Sequence, residues 1–288
     1  MPAPSAIPMF KYFGHGNEPL GNGALKVLQN LSLKVTPPVE FNDPFEFTPV
    51  VKGLPPDEDA KNELKRVLTD PAFFDANRSE FPQCRNFSQF QSVIRGKLGE
   101  LTKGFSESTE RMNFCFQQEV SPSLSKTYGV VCFSATPIQP LMWAHYGAAH
   151  TGLVLEFDGS CPLFSDPGFL QVDYATERAE FDPDLPDRAR TEALARRKSL
   201  DWAYEKEFRL VVSLSRTKRI SAAGADRNFL PIEPSWIKSI TVGLRASFEL
   251  KGEVMRLRRQ PQLAHLGLYR ISMNQHAFAF DRNQVRHF

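Results

Sequence analysis

The sequence contains little that would place the protein in a membrane or in an oxidising compartment. Its 288 residues include four cysteines, and no two of them form a Cys-x-x-Cys pair. This pattern is neither a zinc ribbon nor a disulfide framework, so we expect a reducing, cytoplasmic setting. The N-terminus lacks the basic region and apolar stretch of an export signal, and no apolar run approaches the roughly 18 residues that a membrane helix needs. Delivery as an effector by another route stays open.

The motifs of several common enzyme classes are also missing. The sequence has no Walker A loop, no Gly-x-Gly-x-x-Gly, no Gly-x-Ser-x-Gly and no His-Glu-x-x-His. We therefore expect no metal cofactor. The formal net charge is only +2, which gives no electrostatic argument for binding to nucleic acid or to a membrane surface.

What is present is a sequence patterned like that of a globular protein. Its 41% hydrophobic content is enough for a sizeable core, to which most of its 24 phenylalanines should contribute. Strand-like segments follow a helix-rich stretch, which is typical of the α+β class. We interpret residues 1–288 as one α+β domain. It should have a mixed, largely antiparallel β core, flanking helices and a helical insertion at about 55–125.

Hydrophobic periodicity and turn residues predict the individual elements. Strands are predicted at 9–13, 129–134, 151–157, 237–242, 268–272 and 277–280. Helices are predicted at 23–31, 137–149, 188–203 and 248–259. Within the insertion we expect separate helices, the first capped by Asp57, another around 93–101 and a third at 106–118.

The segment 202–212, with the sequence WAYEKEFRLVV, carries the most informative charges. We interpret it as a strand, and side chains of a strand alternate between its two faces. Glu205, Glu207 and Arg209 should then project from one face, at the mouth of a buried strand. The alternative is that the two glutamates simply neutralise Arg209 and Lys206 at a sheet edge.

A second motif, FNDPFE at 41–46, places Asn42 and Asp43 before a proline. Such a sequence is typical of a turn in which an Asn or Asp side chain bonds to the backbone. The functional alternative is that the turn brings Asp43 or Glu46 to a pocket.

Two further motifs surround the centre of the sequence. CFSAT at 132–136 ends a buried strand, and its Ser134 is expected either to contact a ligand or to cap the next helix. MWAHYG at 142–147 surrounds His145 with apolar and aromatic residues. A lone histidine there is expected to be a buried core residue more often than a catalytic base.

Taken together, the motifs occur in a specific order: KYF, FNDPFE, CFS, LMWAHYG, HTGLVLEFD, W-x-YE-x-EFR and IKSITVG. This ordered set resembles a widespread bacterial family of domains of unknown function. The resemblance covers nearly the whole chain and is weakest between about 55 and 125. It implies relatives but no particular reaction.

A second resemblance implies an activity. Mono-ADP-ribosyltransferases of the Arg-Ser-Glu kind carry a basic residue on an early strand, an aromatic-x-Ser-Thr-Ser motif on a central strand and Glu-x-Glu on a late strand. This chain is similar in order, with Lys11, then Phe-Ser-Ala-Thr at 133–136, then Glu205-Lys206-Glu207. It departs from that pattern because lysine replaces arginine and Ser-Ala-Thr replaces Ser-Thr-Ser. The resemblance implies a core of split sheets and NAD as co-substrate.

The same resemblance implies roles for individual residues. Glu207 would be the catalytic carboxylate that stabilises positive charge on the ribose, and Glu205 would orient or deprotonate the acceptor. The expected NAD-binding residues are Lys11 at the pyrophosphate, Tyr12 or Tyr146 against nicotinamide, Ser134 and Asn42 supporting the pocket, and Arg209 holding Glu207 or Glu46. Replacing Glu207 by glutamine should then abolish turnover without changing the melting temperature.

Three functions remain open at this point. The first is an NAD-consuming ADP-ribosyltransferase-like enzyme, such as a bacterial toxin, effector or defence protein, with an unknown protein or nucleic-acid acceptor and an immunity or antitoxin partner. The second is a metal-dependent nuclease or phosphodiesterase that uses Asp43, Glu46, Glu205 and Glu207. The third is a non-catalytic protein-binding module that uses the phenylalanine-rich insertion as its surface.

Overall fold

A computed structural model describes residues 7–14, 23–51, 62, 65–66, 68–182, 185–222 and 225–288 of the chain. Over these residues, helices flank mixed and mostly antiparallel β-sheets, which confirms the predicted α+β class. The beginning of the predicted insertion, including the expected cap Asp57, lies outside the described residues.

The elements follow one another along the whole described chain. The strands are β1 (Met9–Phe13), β2 (Ser32–Val35), β3 (Val50–Val51), β4 (Tyr128–Ser134), β5 (Leu153–Phe157), β6 (Phe169–Gln171), β7 (Asp173–Ala175), β8 (Glu180–Phe181), β9 (Arg197–Ser199), β10 (Glu207–Ser213), β11 (Lys218–Ala222), β12 (Ala225–Pro231), β13 (Ile237–Val242), β14 (Gly267–Met273) and β15 (Phe280–Val285). The α-helices are α1 (Ala24–Asn30), α2 (Pro71–Ala76), α3 (Phe87–Leu124), α4 (Pro140–His145), α5 (Asp187–Arg196) and α6 (Phe248–Arg258).

The strands form one large sheet and three small ones. The large sheet has eight strands in the order β15-β14-β13-β5-β1-β4-β10-β6, and all of its pairs are antiparallel except β13 with β14. The small sheets are β11-β12-β2, β3-β8 and β7-β9. The ADP-ribosyltransferase resemblance implies split sheets, whereas the described residues form one dominant sheet and three small ones.

One face of the large sheet carries the main hydrophobic core. Strand β10 contributes Phe208, Leu210 and Val212, which are separated by two positions each and therefore point the same way. Helices α1 and α6 cover this face with residues such as Leu28 and Val254, both buried. Burial of these apolar side chains is the main interaction that stabilises the fold.

The opposite face carries a cross-strand row over five strands, four of which contribute a polar side chain. Glu207 lies opposite Ser134, which pairs with Phe10 on the next strand. Phe10 in turn pairs with Glu156, and Glu156 with Ser239. Two carboxylates, Glu207 and Glu156, thus lie in one cross-strand row with Ser134 and Phe10 between them.

Several predicted elements are confirmed closely. Strands β1 and β13 have the predicted bounds, and α1 and α6 differ from prediction by only a residue or two at their ends. These segments have strong apolar periodicity and pack directly into the main core, so local pattern and tertiary packing agree.

The predicted strand at 202–212 is wrong in its first half, and the helix predicted at 188–203 is too long. Helix α5 ends at Arg196, β9 follows, and residues Leu200–Glu205 form a 3₁₀ turn. Ser199 starts that turn by accepting a hydrogen bond from the backbone of Asp201, and Lys206 ends it with φ of 47°. Strand β10 begins only at Glu207, because the left-handed backbone at Lys206 redirects the chain.

Helix α4 is shorter than the predicted 137–149, because Ala148, Ala149 and His150 all have positive φ angles. The expectation that His145 is buried is also wrong. Met142 and Trp143 point into the core, and His145 lies on the exposed side of the helix. The strand predicted at 277–280 begins instead at Phe280, since Asn274 accepts backbone hydrogen bonds and forms a turn before it.

The described part of the insertion contains one long helix where two were predicted, since α3 covers 38 residues. Beside its first turns, four phenylalanines pack on one another in a small separate core, namely Phe74, Phe81, Phe87 and Phe90. Neither α3 nor any other helix among the described residues combines the length and apolar character needed to cross a membrane.

Candidate functional site

Strand β10 supplies the centre of the candidate site. Glu207 and Arg209 project from the same face, as predicted, and both are almost fully buried. The Arg209 guanidinium donates two hydrogen bonds of 2.9 Å, from Nε to Glu207 Oε1 and from Nη2 to Oε2. It also donates to the backbone oxygen of Ala195 and to the carboxylate of Glu46. Arg209 therefore holds both Glu207 and Glu46, which is the role expected for it.

Lys198 is the residue that the sequence reasoning missed. Its ammonium nitrogen lies 2.6 Å from Glu205 Oε2, 3.0 Å from Glu207 Oε2 and 3.3 Å from Glu46 Oε1. In the sequence it follows two arginines inside a predicted charged helix, so it resembled an exposed helix residue. A change from helix to strand at Arg197 is what turns it inward, and no local signal indicated that change.

Glu205 reaches the same place from the 3₁₀ turn and not from the strand. Ser134 Oγ donates to the backbone oxygen of Glu205 at 2.6 Å, and the backbone of Ala135 donates to Lys206 at 3.0 Å. These bonds fix the left-handed turn at Lys206 against the end of β4. The two glutamates therefore converge on one ammonium group, although the backbone that brings them together is not the predicted one.

Glu46 arrives through the FNDPFE turn, for which both interpretations are correct. Asp43 Oδ1 accepts a hydrogen bond of 2.9 Å from the backbone of Phe45, which is the expected local turn. The turn then delivers the Glu46 side chain to Lys198 and Arg209. We refer below to Glu46, Lys198, Glu205, Glu207 and Arg209 as the charge cluster.

The charge cluster adjoins a cavity of about 140 Å³, the first cavity. Every predicted site residue except Arg209 lines it, and Arg209 lies behind Glu207. The full lining is Phe10, Lys11, Tyr12, Phe41, Asn42, Glu46, Cys132, Phe133, Ser134, Met142, Tyr146, Lys198, Glu205 and Glu207. The cavity thus has a charged side formed by the cluster and aromatic walls from four different segments.

The tyrosines of the first cavity differ in their freedom to take part in chemistry. Tyr146 donates a hydrogen bond of 2.7 Å to Glu205 Oε1. Burial and the Glu205 carboxylate raise the pKa of Tyr146 well above its usual value. Tyr12, by contrast, donates to the backbone of Thr136 at 2.9 Å, so its hydroxyl is already engaged in the fold.

Lys11 also lines the cavity, but its ammonium group donates to the backbone oxygen of Cys132 at 2.9 Å. Burial lowers the pKa of Lys11, and the nearby Cys132 and Glu207 only partly oppose that change. The bond ties Lys11 to the neighbouring strand β4.

The electrostatics of the charge cluster are set by an imbalance of three carboxylates against two cations. Burial would raise the pKa of Glu207, but Arg209 and Lys198 outweigh it and hold that pKa far below its usual value. Burial raises the pKa of Glu205 and of Glu46, and their cationic neighbours only partly offset it. The cations therefore favour the ionised form of Glu207, whereas burial favours the protonated forms of Glu205 and Glu46.

The donor set does not favour a divalent metal. Among the described residues, no group of three or more acidic, histidine or cysteine side chains is arranged to hold a metal ion. Within the charge cluster, carboxylate oxygens that a metal would require already bind the Lys198 ammonium and the Arg209 guanidinium.

Comparisons of the chain with models of known protein families, with curated proteins and with solved structures found no match. The family resemblances therefore stand on the ordered motifs alone.

Proposed function

We propose that this protein is an NAD-consuming enzyme of the ADP-ribosyltransferase or NAD glycohydrolase type, with the first cavity as its active site. The observation that carries the proposal is the convergence of Glu205 and Glu207 on the Lys198 ammonium, with their pKa values moved in opposite directions. Pairs of carboxylates divided in this way are suited to act one as an ionised stabiliser and the other as an acid or base.

The chemistry of the cavity suits the nicotinamide end of NAD. The nicotinamide ring of NAD is a cation, and the charge cluster has one carboxylate in excess. Aromatic walls, including Phe41 and Tyr146, add a surface that attracts a cationic ring. A cavity of roughly 150 Å³ holds a benzene-sized molecule. The first cavity is therefore the size of one ring, and the remaining parts of the dinucleotide would extend outside it.

The proposed reaction breaks the bond between the ribose C1′ and the nicotinamide nitrogen. The bonding electrons go to the nitrogen, so the ring leaves as neutral nicotinamide and positive charge develops on the ribose. Glu207, held ionised by Arg209, stabilises that charge. An oxygen of water or of an acceptor bonds to C1′, and Glu205 in its ionised form takes the proton which that oxygen loses. Tyr146 orients Glu205.

The proposed reaction is compatible with either water or a macromolecule as the acceptor. Water as acceptor would give free ADP-ribose, and a protein or nucleic acid would give a modified macromolecule. A bacterial toxin, effector or defence protein that acts in the cytoplasm and is restrained by an immunity or antitoxin partner is the biological setting we propose for such an activity.

A glutamine substitution at Glu207 should affect the stability of the protein as well as its activity. Glu207 is buried and binds both Arg209 and Lys198, so the Glu207→Gln variant should be considerably less stable. Glu205 is the better target, since burial already disfavours its charged form.

The test is release of nicotinamide from NAD by the purified protein, measured with and without a bacterial lysate as a source of acceptors. The wild-type protein should release nicotinamide, and the Glu205→Gln variant should not. Glu253→Gln, at an exposed position of α6, is the matched control and should behave like the wild type. Absence of release under both conditions, or full release by Glu205→Gln, would contradict the proposal.

A further inference from the structure

A second cavity lies beside the charge cluster, with a volume of about 310 Å³. It shares Glu46 and Lys198 with the first cavity, so this ion pair contributes to both linings. Its other polar side chains include Asp43, Arg178 and Arg197. The volume is within the range of small-molecule sites, which begins at roughly 300 Å³.

Asp43 has an oxygen without a partner in this cavity. The residue is only 5% exposed. Its Oδ1 accepts the backbone hydrogen bond of Phe45 that forms the turn, whereas its buried Oδ2 has no hydrogen-bond partner. A buried acceptor left without a donor is unfavourable, and buried polar groups in proteins nearly always have a partner. The turn needs only one oxygen of this carboxylate, and the other remains for a ligand.

The cavity also contains donors that the fold leaves unused. Arg178 donates from Nη2 to the backbone oxygen of Thr48, but its buried Nε has no partner. The same guanidinium lies 5.7 Å from the ring centre of Phe45. Arg197 lines the cavity as a second cation. The lining of the second cavity thus contains a negatively charged acceptor, Asp43 Oδ2, and a positively charged donor, Arg178 Nε, and neither has a hydrogen-bond partner.

We propose that the second cavity binds a small zwitterionic molecule that carries an ammonium group and an anionic group, such as an amino acid. The ammonium group bonds to Asp43 Oδ2, and the anionic group bonds to Arg178 Nε and to Arg197. The walls formed by Phe47 and Leu194, both nearly fully buried, contact the carbon chain between the two charges. A simple cation or anion would satisfy one end and leave the other unpaired.

This ligand is distinct from the nicotinamide ring proposed for the first cavity, and its binding does not depend on NAD turnover. The shared Glu46–Lys198 pair nevertheless places the zwitterion next to the charge cluster. An enzyme with two adjoining small-molecule sites can regulate one through the other or use both in one reaction.

The test is calorimetric titration of the full chain with glycine, β-alanine, γ-aminobutyrate and ε-aminocaproate, in which the two charges lie progressively further apart. Butylamine and butyrate are the matched ligands with one charge each. At least one member of the series should bind with a dissociation constant of about 1 mM or less. The proposal is overturned when no member binds better than butylamine and butyrate.

Two variants test the assigned contacts. Asp43→Asn keeps the oxygen that accepts from Phe45 but removes the charge, and Arg197→Gln removes the cation. Each should weaken zwitterion binding roughly tenfold or more. Asp75→Asn, at an exposed position of α2, is the control and should bind normally. Unchanged binding by Arg197→Gln and by a folded Asp43→Asn overturns the proposal. Glu205→Gln should still bind the zwitterion, which separates this result from a failure of the NAD hypothesis.

Discussion

Two groups of charged residues each include one glutamate of the same cross-strand row, Glu207 in one and Glu156 in the other, but they are constructed differently. The charge cluster opposes three carboxylates with two cations, all buried. The other group is a single pair, in which Arg282 donates to Glu156 Oε2 at 2.6 Å. Arg282 also donates to Thr241 at 2.9 Å and lies over the Tyr269 ring at 3.7 Å.

The difference shows what separates a structural ion pair from a candidate site. The Arg282–Glu156 pair balances its own charge, and neither residue lines the first or the second cavity. The charge cluster has a carboxylate in excess and contributes residues to both cavities. Charge imbalance next to an open volume, more than burial by itself, is therefore what points to chemistry.

The largest expected effect is a loss of stability when the charge cluster loses one of its cations. Replacing Arg209 by methionine leaves Glu207 and Glu46 without their guanidinium partner, so unfolding free energy should fall by about 3–5 kcal/mol. Chemical denaturation measures this loss. A fall below about 1 kcal/mol would show that the charge cluster is no more important to the fold than a surface ion pair.

The next effect is on activity. Glu205→Gln should lower nicotinamide release by about 100-fold or more, as removal of a general base typically does. Its melting temperature should stay equal or rise, because burial disfavours the charged form of Glu205. Glu156→Gln is the matched glutamate variant from the structural pair and should retain full turnover. Equal loss of activity in both variants would remove the distinction between the two groups.

A smaller effect is expected for the structural pair. Arg282→Met should lower the free energy of unfolding by roughly 1–2 kcal/mol, because the pair is partly exposed and its neighbours Thr241 and Ser239 are polar. Nicotinamide release should be unchanged when measured on the folded variant. A destabilisation as large as that of Arg209→Met would contradict the comparison.

The smallest effect is a dependence of stability on pH. The pKa of Glu207 is lowered in the folded state, so its stabilisation is present above about pH 4.5 and is lost as pH falls further. The pKa values of Glu205 and Glu46 are raised, so their contribution is full below about pH 4.5 and is lost as pH rises through the raised values. Melting temperature should therefore decline from mildly acidic pH toward neutral.

Glu205→Gln provides the check on that pH profile. The substitution removes one of the two carboxylates responsible for the decline, so the profile above about pH 4.5 should become flatter than that of the wild type. An unchanged profile would mean that neither the excess carboxylate nor its burial governs stability in this range.

Much of the candidate site was predictable from residue types in sequence order. The motifs of the sequence contain seven residues that line the first cavity, namely Lys11, Tyr12, Asn42, Ser134, Tyr146, Glu205 and Glu207. The sequence did not indicate Lys198 as a site residue, because a lysine after two arginines in a charged helix is typical of an exposed helix face. The zwitterion site was also hidden, since an Asx turn explains Asp43 completely until the second oxygen is seen without a partner.

Local sequence patterns were enough to predict the α+β class, the strands with strong apolar patterns such as β1 and β13, and the placement of Glu207 and Arg209 on one strand face. Tertiary contacts set the end of helix α5, the direction in which the left-handed turn at Lys206 points Glu205, and the contact of Lys198 with the carboxylates. The two kinds of information differ in the distance along the sequence over which the underlying interactions act. Apolar periodicity acts within one element, whereas the Ser134–Glu205 bond joins residues 71 positions apart and exists only once β4 and β10 are paired.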